Sequence, residues 1–552
     1  MAIRNLSVTL GVMRRMRPVS IVLFVIVVSA LVGGLFGRSA LAVDDKLTER
    51  YATFSAALSA IESQYVDKVE SDRVVYSAIR GMLSTLDPHS SFFDPREYAQ
   101  MRERQEGRYY GLGITIQSNE GDITAASVFE GSPAYKVGIR RGDVMARIDG
   151  EDAKGWTTEQ AMKKLRGGKG TQVKVEIRRR GYESLIPLDV TRDEVQIPTV
   201  PAHFMIDATT GYIRHQDWGE NTDREMQRAL NDLRSKGMKR LLYDIRGNPG
   251  GPLDQAIKVS NEFLPKGKMI VYTRGRVRNS DQDYRATEDS TFLDIPMVVL
   301  ANRMSASASE IFTGALQDHD RAYIVGETTF GKALVQSVYP IANGAGLALT
   351  TAHYFTPSDR LIQRPWDETF DEYLSYTQKD QEANKPHKPS DLRRTDSGRP
   401  VYSGGGIEPD KYVPGTIEGF NPTPFSRALA GRFEFETFAQ KFIAEGDTRI
   451  PREPGKGWVV VKPNFTVDDQ MLKDFREQLT ANRLKIDEAA FQKDLTFIRA
   501  MIRFRIDEAA FGIAEARRRM VEVDPQAQAA LASFGEAEKL AGVAHTSANR
   551  GN

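Results

Sequence analysis

Residues 304–312 read Met-Ser-Ala-Ser-Ala-Ser-Glu-Ile-Phe, and residues 326–332 read Gly-Glu-Thr-Thr-Phe-Gly-Lys. The apolar run 295–301 before the serines predicts a buried strand, and apolar residues at helical spacing after them predict a helix. The serines therefore lie where a strand passes into a helix N-terminus, whose unpaired backbone N–H groups can stabilise a developing oxyanion. A further strand, 322–325, leads into the glycine-flanked segment that ends at Lys332.

The serines and the lysine fit nucleophilic catalysis, but they also fit a structural role. A serine hydroxyl attacks only when a base takes its proton, and a lysine can be that base only if burial has lowered its pKa. Ser307 and Glu310 also have the spacing of a helix capping box. Ser309, further into the helix, is expected to serve the helix itself. Spacing alone leaves the nucleophile and the cap as alternatives.

Both motifs, with Val-Gln at 335–336, resemble the core of the C-terminal processing (tail-specific) proteases, which are serine peptidases with a Ser-Lys dyad. The resemblance implies that Ser307 is the nucleophile and Lys332 is the base. It also implies that Gln336 helps to hold the lysine and that the reaction needs no cofactor.

The segment Arg246-Gly-Asn-Pro-Gly-Gly follows the predicted strand 241–245. By the same resemblance, the core is crotonase-like, and the oxyanion hole combines a backbone N–H of Gly250 or Gly251 with that of Ala308. Taken alone, two glycines after a proline indicate an ordinary turn.

Other polar residues are weaker candidates. None of the seven histidines lies in a motif typical of a Ser-His-Asp triad. We expect His319 and His353 to be surface or packing residues and His89 to be structural. Asp244 and Glu327 flank the predicted site without an assigned role, and no metal-ligand spacing is present.

Residues 107–180 have the character of a PDZ domain, with turns at 131–134 and 138–143 in the order that the fold requires. A helix over 158–166 would form one wall of its groove. The predicted peptide-binding loop comprises Tyr110, Gly111, Leu112, Gly113 and Ile114. Such a loop receives a C-terminal carboxylate on its backbone amides and opens a strand to which the peptide adds. The implied partners are protein substrates with apolar C-terminal tails.

Composition excludes some classes of function. The chain has 552 residues, of which 40% are hydrophobic, and a net charge of +1, so nothing indicates a nucleic-acid partner. It has no cysteine, which excludes disulfides and thiolate chemistry.

The N-terminus predicts export. Arg14, Arg15 and Arg17 precede the apolar run 19–36, and Ala-Leu-Ala at 40–42 resembles a signal-peptidase site. Positive charge on this side keeps the N-terminus in the cytoplasm, so the rest is exported across the bacterial inner membrane to the periplasm. Residues 19–36 fit either a retained membrane anchor or a cleaved signal peptide.

These observations predict an α/β protein with a crotonase-like ββα protease core, an inserted PDZ domain, an N-terminal helical segment and a helical C-terminal region. The expected boundaries are 1–42 for the signal anchor or signal peptide, 43–104 for the N-terminal helices, 105–195 for the PDZ domain, 196–420 for the core with a charged, solvated insertion at about 366–400, and 421–552 for the C-terminal region.

The roles of the N-terminal helical segment and of the C-terminal region are open between alternatives. Apolar residues from Leu47 to Tyr65 have heptad-like spacing, which suits packing against a neighbouring domain or formation of a homo-oligomer. In the C-terminal region we expect helices over 433–444 and 467–521, a strand over 458–461 and a frayed tail after Ser533. That region could serve oligomerisation or docking of an adaptor protein.

The sequence therefore predicts an exported serine endopeptidase that captures protein C-termini and cleaves near them through an acyl-enzyme. The alternative is a PDZ scaffold that carries a catalytically silent protease fold.

Overall fold

The computed structural model describes residues 45–119, 121–129, 131–179, 182–290, 292–366, 373, 375–378, 386–445 and 465–548. The chain divides between Leu86 and Asp87 into two units. The predicted anchor at 19–36 lies outside the described residues. Within the described ranges, no helix combines the length and the apolar character that a bilayer crossing requires.

The first unit contains helices α1 (Asp45–Gln64) and α2 (Ser71–Leu83). The predicted apolar stripe lies on α1, where Tyr51 is 65% exposed and Phe54 and Ile61 are each 43% exposed. The two helices of this unit therefore do not bury the stripe between them, and packing against a neighbouring domain or in a homo-oligomer stays a prediction.

The second unit begins with strand β1 (Ser91–Phe93) and helix α3 (Pro95–Glu106), which starts with a capping box between Asp94 and Glu97. Strands β2 (Arg108–Gly111) and β9 (Asp193–Gln196) pair antiparallel. The chain enters the PDZ domain through β2 and leaves it through β9, so the domain is an insertion whose two ends are held together.

The PDZ domain is a sheet with the strand order β3-β4-β5-β7-β8, with β6 beside β5. Its elements are β3 (Ile114–Asn119), β4 (Asp122–Val128), α4 (Pro133–Val137), β5 (Val144–Ile148), β6 (Glu151–Asp152), α5 (Thr158–Leu165), β7 (Gln172–Arg178) and β8 (Ile186–Thr191). The predicted groove helix is α5. Strand β3 lies at the edge of the sheet, where a peptide strand can add.

The predicted protease core contains a six-stranded sheet with the order β10-β11-β12-β15-β16-β21, parallel from β11 onwards. Its strands are β10 (Ala202–Met205), β11 (Thr210–Arg214), β12 (Arg240–Asp244), β15 (Met297–Ala301), β16 (Tyr323–Gly326) and β21 (Lys411–Tyr412). Helices α6 (Thr222–Ser235), α7 (Leu253–Asn261) and α8 (Ala308–Asp318) connect these strands. This is the predicted alternation of strand and helix.

Successive side chains of this sheet point to opposite faces. Leu241 and Tyr243 of β12 pack in the cluster that includes the three core helices, whereas Leu242 packs in a cluster with Ala527 and Phe534 from the C-terminal region. The C-terminal helices therefore cover the second face of the catalytic sheet.

A second sheet has the order β1-β18-β13-β14, and β17 also pairs with β18. Its remaining strands are β13 (Met269–Arg274), β14 (Gln282–Arg285), β17 (Leu334–Pro340) and β18 (Gly346–Phe355). Strand β17 begins two residues after Lys332, so the segment that carries Lys332 leads directly into this second sheet.

The charged insertion predicted at 366–400 is largely exposed over residues 386–400, as expected, but it is more ordered there than a simple loop. Strands β19 (Leu392–Arg394) and β20 (Pro400–Tyr402) form a hairpin. Arg399 pairs with the buried Asp320 at 2.6 Å and also with Asp410. These partners are distant in the sequence, so the proline and charge content of the segment gave no sign of them.

The C-terminal region consists of eight helices within its described residues. They are α9 (Pro424–Gly431), α10 (Glu434–Glu445), α11 (Asp469–Ala481), α12 (Glu488–Lys493), α13 (Leu495–Phe511), α14 (Ile513–Val523), α15 (Pro525–Leu531) and α16 (Phe534–Ala548). The predicted frayed tail is wrong, because α16 packs on the catalytic sheet through Phe534 and Ala537. The predicted strand at 458–461 lies outside the described residues. The predicted fold class, including both helical ends, is confirmed.

Candidate active site

The three serines lie at the junction between β15 and α8, as predicted. Ser307 immediately precedes α8 and has φ 54° and ψ −113°. A positive φ is unusual for a residue with a side chain and costs on the order of 1–3 kcal/mol. Strain of this kind persists only where the surroundings enforce it, and it is concentrated at functional sites.

The hydroxyls of the two outer serines are committed to the fold. Ser305 Oγ donates to the carbonyl of Ile245 at 3.0 Å and accepts from the N–H of Asn302 at 3.1 Å. Ser309 Oγ donates to the carbonyl of Asn248 and accepts from Trp218 Nε1, both at 3.0 Å. The expectation that Ser309 serves its own helix is wrong, because its hydroxyl holds the glycine loop. The chemistry of the hydroxyl group alone could not show which serine is the nucleophile. The hydrogen-bond partners of Ser305 and Ser309 distinguish these two from Ser307.

Glu310 joins the serine motif to the lysine loop. Its Oε2 accepts from the N–H of Ser307 and from that of Lys332, each at 2.9 Å. Its Oε1 accepts from the N–H of Gly331 at 2.6 Å and from the hydroxyl of Thr329 at 2.5 Å. Burial raises the pKa of Glu310, although these hydrogen bonds act in the opposite direction. The predicted glutamate of the capping box therefore also fixes the lysine loop.

Tyr354 forms a second link between the two motifs. Its buried hydroxyl lies 2.7 Å from the carbonyl oxygen of Lys332 and 3.2 Å from that of Ser307. The backbones of the serine and the lysine are thus tied together from two sides.

The surroundings of Lys332 disfavour its charged form. Burial lowers the pKa of Lys332, while the charges of Glu310 and Asp87 act to raise it. Its Nζ donates to Gln336 Oε1 at 3.0 Å, and Gln336 Nε2 donates in turn to the carbonyl of His89. The structure therefore brings together the predicted lysine and glutamine. No hydrogen bond joins Lys332 Nζ to Ser307 Oγ.

His89 lies beside this site rather than away from it. Burial, together with the charge of Lys332, lowers the pKa of His89 to about 4, so the ring is neutral at neutral pH. Its Nε2 lies 2.8 Å from the hydroxyl of Tyr373, which is only 2% exposed. Sequence reasoning missed Tyr373, because the segment around it is rich in charge and proline.

The glycine loop approaches the serine closely at one position. A Cβ placed on Gly250, whose φ is +91°, would lie 2.8 Å from Ser307 Cβ and 2.9 Å from the backbone nitrogen of Ala308. Gly251 instead packs against Trp218, where a Cβ would lie 2.5 Å from the Trp218 Cβ. Of the two predicted glycines, Gly250 is therefore the one placed next to the serine.

The two N–H groups predicted to bind the oxyanion, those of Ala308 and Gly250, differ in whether they already have a hydrogen-bond acceptor. No acceptor among the described residues takes the N–H of Ala308. The N–H of Gly250 donates to Asn248 Oδ1 at 3.0 Å. Gly250 can serve as a donor to an oxyanion only when this N–H leaves the Asn248 side chain.

Asp244 and Glu327, which had no assigned role, each hold a buried arginine. Arg303 donates to both carboxylate oxygens of Glu327, at 2.6 and 3.0 Å. Burial alone would raise the pKa of Asp244, but Arg246 and Arg214 beside it hold that pKa well below its usual range. Both carboxylates therefore fix the loops that follow the catalytic strands.

Two further histidines, His319 and His353, and possible metal sites were also considered from the sequence. His319 Nε2 lies 2.7 Å from the carbonyl oxygen of Met269, and Nδ1 lies 2.9 Å from Asp396 Oδ2. His353 is exposed on β18. In the part of the chain that the structure describes, no three His, Asp or Glu side chains are placed to hold a metal ion.

The predicted peptide-binding loop leads directly into the edge strand β3. Tyr110 is exposed, Leu112 is buried, and Gly113 has φ +80° with Ser132 where a side chain would stand. Burial raises the pKa of Tyr109, which no sequence pattern indicated, while the backbone amides of Gly113 and Ile114 near its phenol act to lower it. Those amides are among the ones expected to receive a carboxylate.

Comparison with known proteins agrees with this architecture. Family models match peptidase family S41 over residues 209–367, a PDZ domain over 100–178, and the N-terminal domain of the activating protease CtpB over 38–96. A carboxy-terminal-processing protease of Bartonella bacilliformis is 38% identical over 319 residues, which are 57% of this chain and 73% of the relative.

Two further relatives carry similar names. The carboxy-terminal processing protease CtpA of Bacillus subtilis is 34% identical over 316 residues, covering 57% of this chain and 67% of the relative. A carboxyl-terminal-processing protease of Synechocystis is 36% identical over 297 residues, covering 52% and 68%. The chain therefore belongs to peptidase family S41 and, within it, to the carboxy-terminal processing proteases that carry a PDZ domain.

Proposed function

We propose that this chain is an exported serine endopeptidase that binds protein C-termini in its PDZ domain and cleaves near them with Ser307 and Lys332. The observation that carries the proposal is the strained backbone of Ser307, between two serines whose hydroxyls are committed to the fold. Lys332, whose pKa is lowered by burial, is tied to the same site through Glu310.

The reaction forms and breaks an ester at Ser307. Neutral Lys332 Nζ takes the hydroxyl proton while Ser307 Oγ attacks the carbonyl carbon of the scissile peptide bond. The tetrahedral intermediate collapses, the C–N bond breaks, and the lysine ammonium returns the proton to the leaving amine. Water then attacks the ester carbon while Lys332 takes a proton from the water. The ester C–O bond breaks, the ammonium returns the proton to Ser307 Oγ, and the new C-terminus is released. Gln336 holds the lysine side chain in place during both steps.

The oxyanion is stabilised by backbone N–H groups. The N–H of Ala308 lies at the start of α8 and is ready to donate. Gly250 supplies the second N–H once Asn248 releases it. Removing one such donor typically costs about 100- to 1000-fold in kcat.

Capture of a tail uses the edge of the PDZ sheet. Strand β3 offers unpaired backbone groups on its outer side, and the loop before it carries the amides of Gly113 and Ile114. An extended apolar tail can add to this strand, with α5 as the opposite wall. Its carboxylate then accepts from the amides of Gly113 and Ile114.

Export is supported by the arginines and the apolar run before residue 43. We further propose that residues 19–36 stay in the membrane as an anchor. Mass spectrometry of the purified N-terminus tests this, since a mature chain that starts at Val43 would exclude the anchor.

The function is tested with a protein substrate that ends in an apolar tail. The wild type should shorten it, and the Ser307→Ala variant should leave it intact while retaining its unfolding temperature. A fluorophosphonate should label Ser307, identified by peptide mass spectrometry. A folded wild type that neither cleaves nor is labelled would instead support the scaffold alternative.

A further inference from the structure

The C-terminal helices have no role in the reaction described above, yet two of their side chains contact the start of the glycine loop. Asp524 Oδ2 lies 2.7 Å from an Nη atom of Arg246, and the other Nη donates to Gln526 Oε1 at 3.0 Å. The Arg246 guanidinium also pairs with Asp244 at 2.6 Å. A single buried arginine is thus shared between the catalytic sheet and the C-terminal region.

The contact is built into the start of α15. Asp524 Oδ1 accepts from the N–H groups of Gln526 and Ala527, at 2.8 and 3.1 Å, while Oδ2 faces Arg246. Gly419, at φ +81°, passes so close to Asp524 that a Cβ there would overlap its carboxylate. Ala527, one turn into α15, is fully buried against the sheet. The position of the carboxylate is therefore fixed by the helix that carries it.

The charges explain why Arg246 needs this second partner. Arg214 also donates to Asp244, at 3.1 Å, so two buried arginines surround one aspartate. Asp524 supplies the second negative charge. Without it, Asp244 is the only carboxylate that pairs with Arg246, and it is shared with Arg214; a buried charge in that position favours rearrangement of the chain around it.

Arg246 is connected to the serine by a short, hydrogen-bonded path. The next residue, Gly247, donates its N–H to Asn302 Oδ1 at 2.8 Å. The carbonyl of Asn248 accepts from the N–H of Ala306 at 3.0 Å, and Gly250 then packs against Ser307. A displacement of about 1 Å in such a site can cost on the order of 100-fold in rate.

We propose that Asp524 and Gln526 are positioning residues for peptide hydrolysis, which hold Arg246 and thereby the Gly250 loop in register with Ser307. The C-terminal region then completes the active site of its own chain. The proposal deepens the proposed function and rests on it, because it assumes that Ser307 reacts next to this loop.

The test uses the full-length enzyme and a short peptide substrate without a PDZ-binding tail. Asp524→Asn keeps the size of the side chain and its capping of α15 but removes the charge. We expect kcat per active site to fall by about 10- to 100-fold with KM changed less than threefold, and the inhibition constant of a peptidyl boronate to rise in parallel. Asp524→Glu, which restores the charge, should recover part of the kcat.

The matched control is Asp487→Asn, which makes the same change at the start of α12, where Asp487 is exposed and caps the helix through the N–H of Ala490. It should leave kcat unchanged. Active sites are counted by titration with a fluorophosphonate, so that unfolded enzyme does not enter kcat. An unchanged kcat per titrated site in Asp524→Asn would overturn the proposal.

A second variant covers failure of Asp524→Asn to fold. Gln526→Leu removes no charge, but it removes the hydrogen bond from Arg246 and the one that Gln526 Nε2 donates to the carbonyl of Val413. It should lower kcat per titrated site by about threefold to tenfold, and an unchanged value there would likewise overturn the proposal. Absence of any titratable site in the wild type, or hydrolysis by Ser307→Ala, would refute the proposed function and is distinct from these outcomes.

Discussion

Replacement of Gln336 by glutamate tests whether a neutral Lys332 is the base. Gln336 Oε1 accepts from Lys332 Nζ at 3.0 Å, and the Gln336→Glu variant puts a negative charge at that distance. At an effective dielectric constant of about 20, this charge stabilises the ammonium by about 5.5 kcal/mol, or about four pKa units. Opposite charges at such distances usually shift a pKa by about 1–3 units, so we adopt that smaller range.

The sign of the effect follows from the form that reacts. Only the neutral amine accepts the Ser307 proton, so activity of the wild type rises with pH through a lysine pKa that burial has lowered. The new carboxylate raises that pKa and moves the rising limb of the profile to higher pH. At a pH below both limbs, kcat/KM should fall by about 10- to 1000-fold, and it should recover towards the wild-type plateau above the new pKa.

The assay is the pH dependence of kcat/KM on a short peptide, with the unfolding temperature measured at each pH. Gln492→Glu introduces the same charge at an exposed position of α12 and should leave the profile unmoved. A Gln336→Glu profile that coincides with the wild type, or that moves to lower pH, would refute the assignment of the lysine as base.

Four further substitutions test other parts of the site and the fold. In Lys332→Arg the guanidinium cannot lose its proton, so the folded variant should not hydrolyse peptide at any pH. Activity close to that of the wild type would exclude Lys332 as the base. Gly250→Ala places a Cβ 2.5 Å from a backbone oxygen and should lower kcat by about 100-fold, whereas Gly398→Ala, at the same φ of +91° with no atom within 4 Å, should not, as steady-state kinetics will show. Gly113→Val should impair cleavage of tailed substrates more than that of short peptides, and equal losses would mean that the PDZ domain gates the catalytic site. Phe534→Ala should lower the free energy of unfolding by about 3–5 kcal/mol in urea titrations, a loss that a frayed tail would not show.

The local elements were predictable because their signals are local. Apolar spacing indicated the strand before Ser307 and the helix after it, and both lie where expected. The roles of Ser305 and Ser309 were not predictable, because their partners are a carbonyl and a loop that lie about 60 residues earlier in the chain. The positive φ of Ser307 has the same origin, since surrounding contacts and not its own residue type impose it.

Two features that the sequence did not indicate depend on partners that are far away in the sequence. The segment around Arg399 was rich in charge and proline, which indicates a solvated loop, yet its arginine is held by Asp320 and Asp410. The tail after Ser533 has few large apolar residues, and the small side chain of Ala537 gave no amphipathic signal, although it packs closely on the sheet. The composition of a segment shows which of its side chains could be buried, but it does not show which other part of the protein the segment packs against.

The contact between Arg246 and Gln526 joins residues that lie 280 positions apart, and this separation has a consequence for biogenesis. The ribosome makes the glycine loop long before it makes α15. Until then the loop lacks the partner from the last helices, and contacts of such long range form late in folding. A chain interrupted before residue 524 keeps its serine, lysine and PDZ domain but not the buried carboxylate beside Arg246. The contact beside the glycine loop can therefore form only after residue 526 has been synthesised.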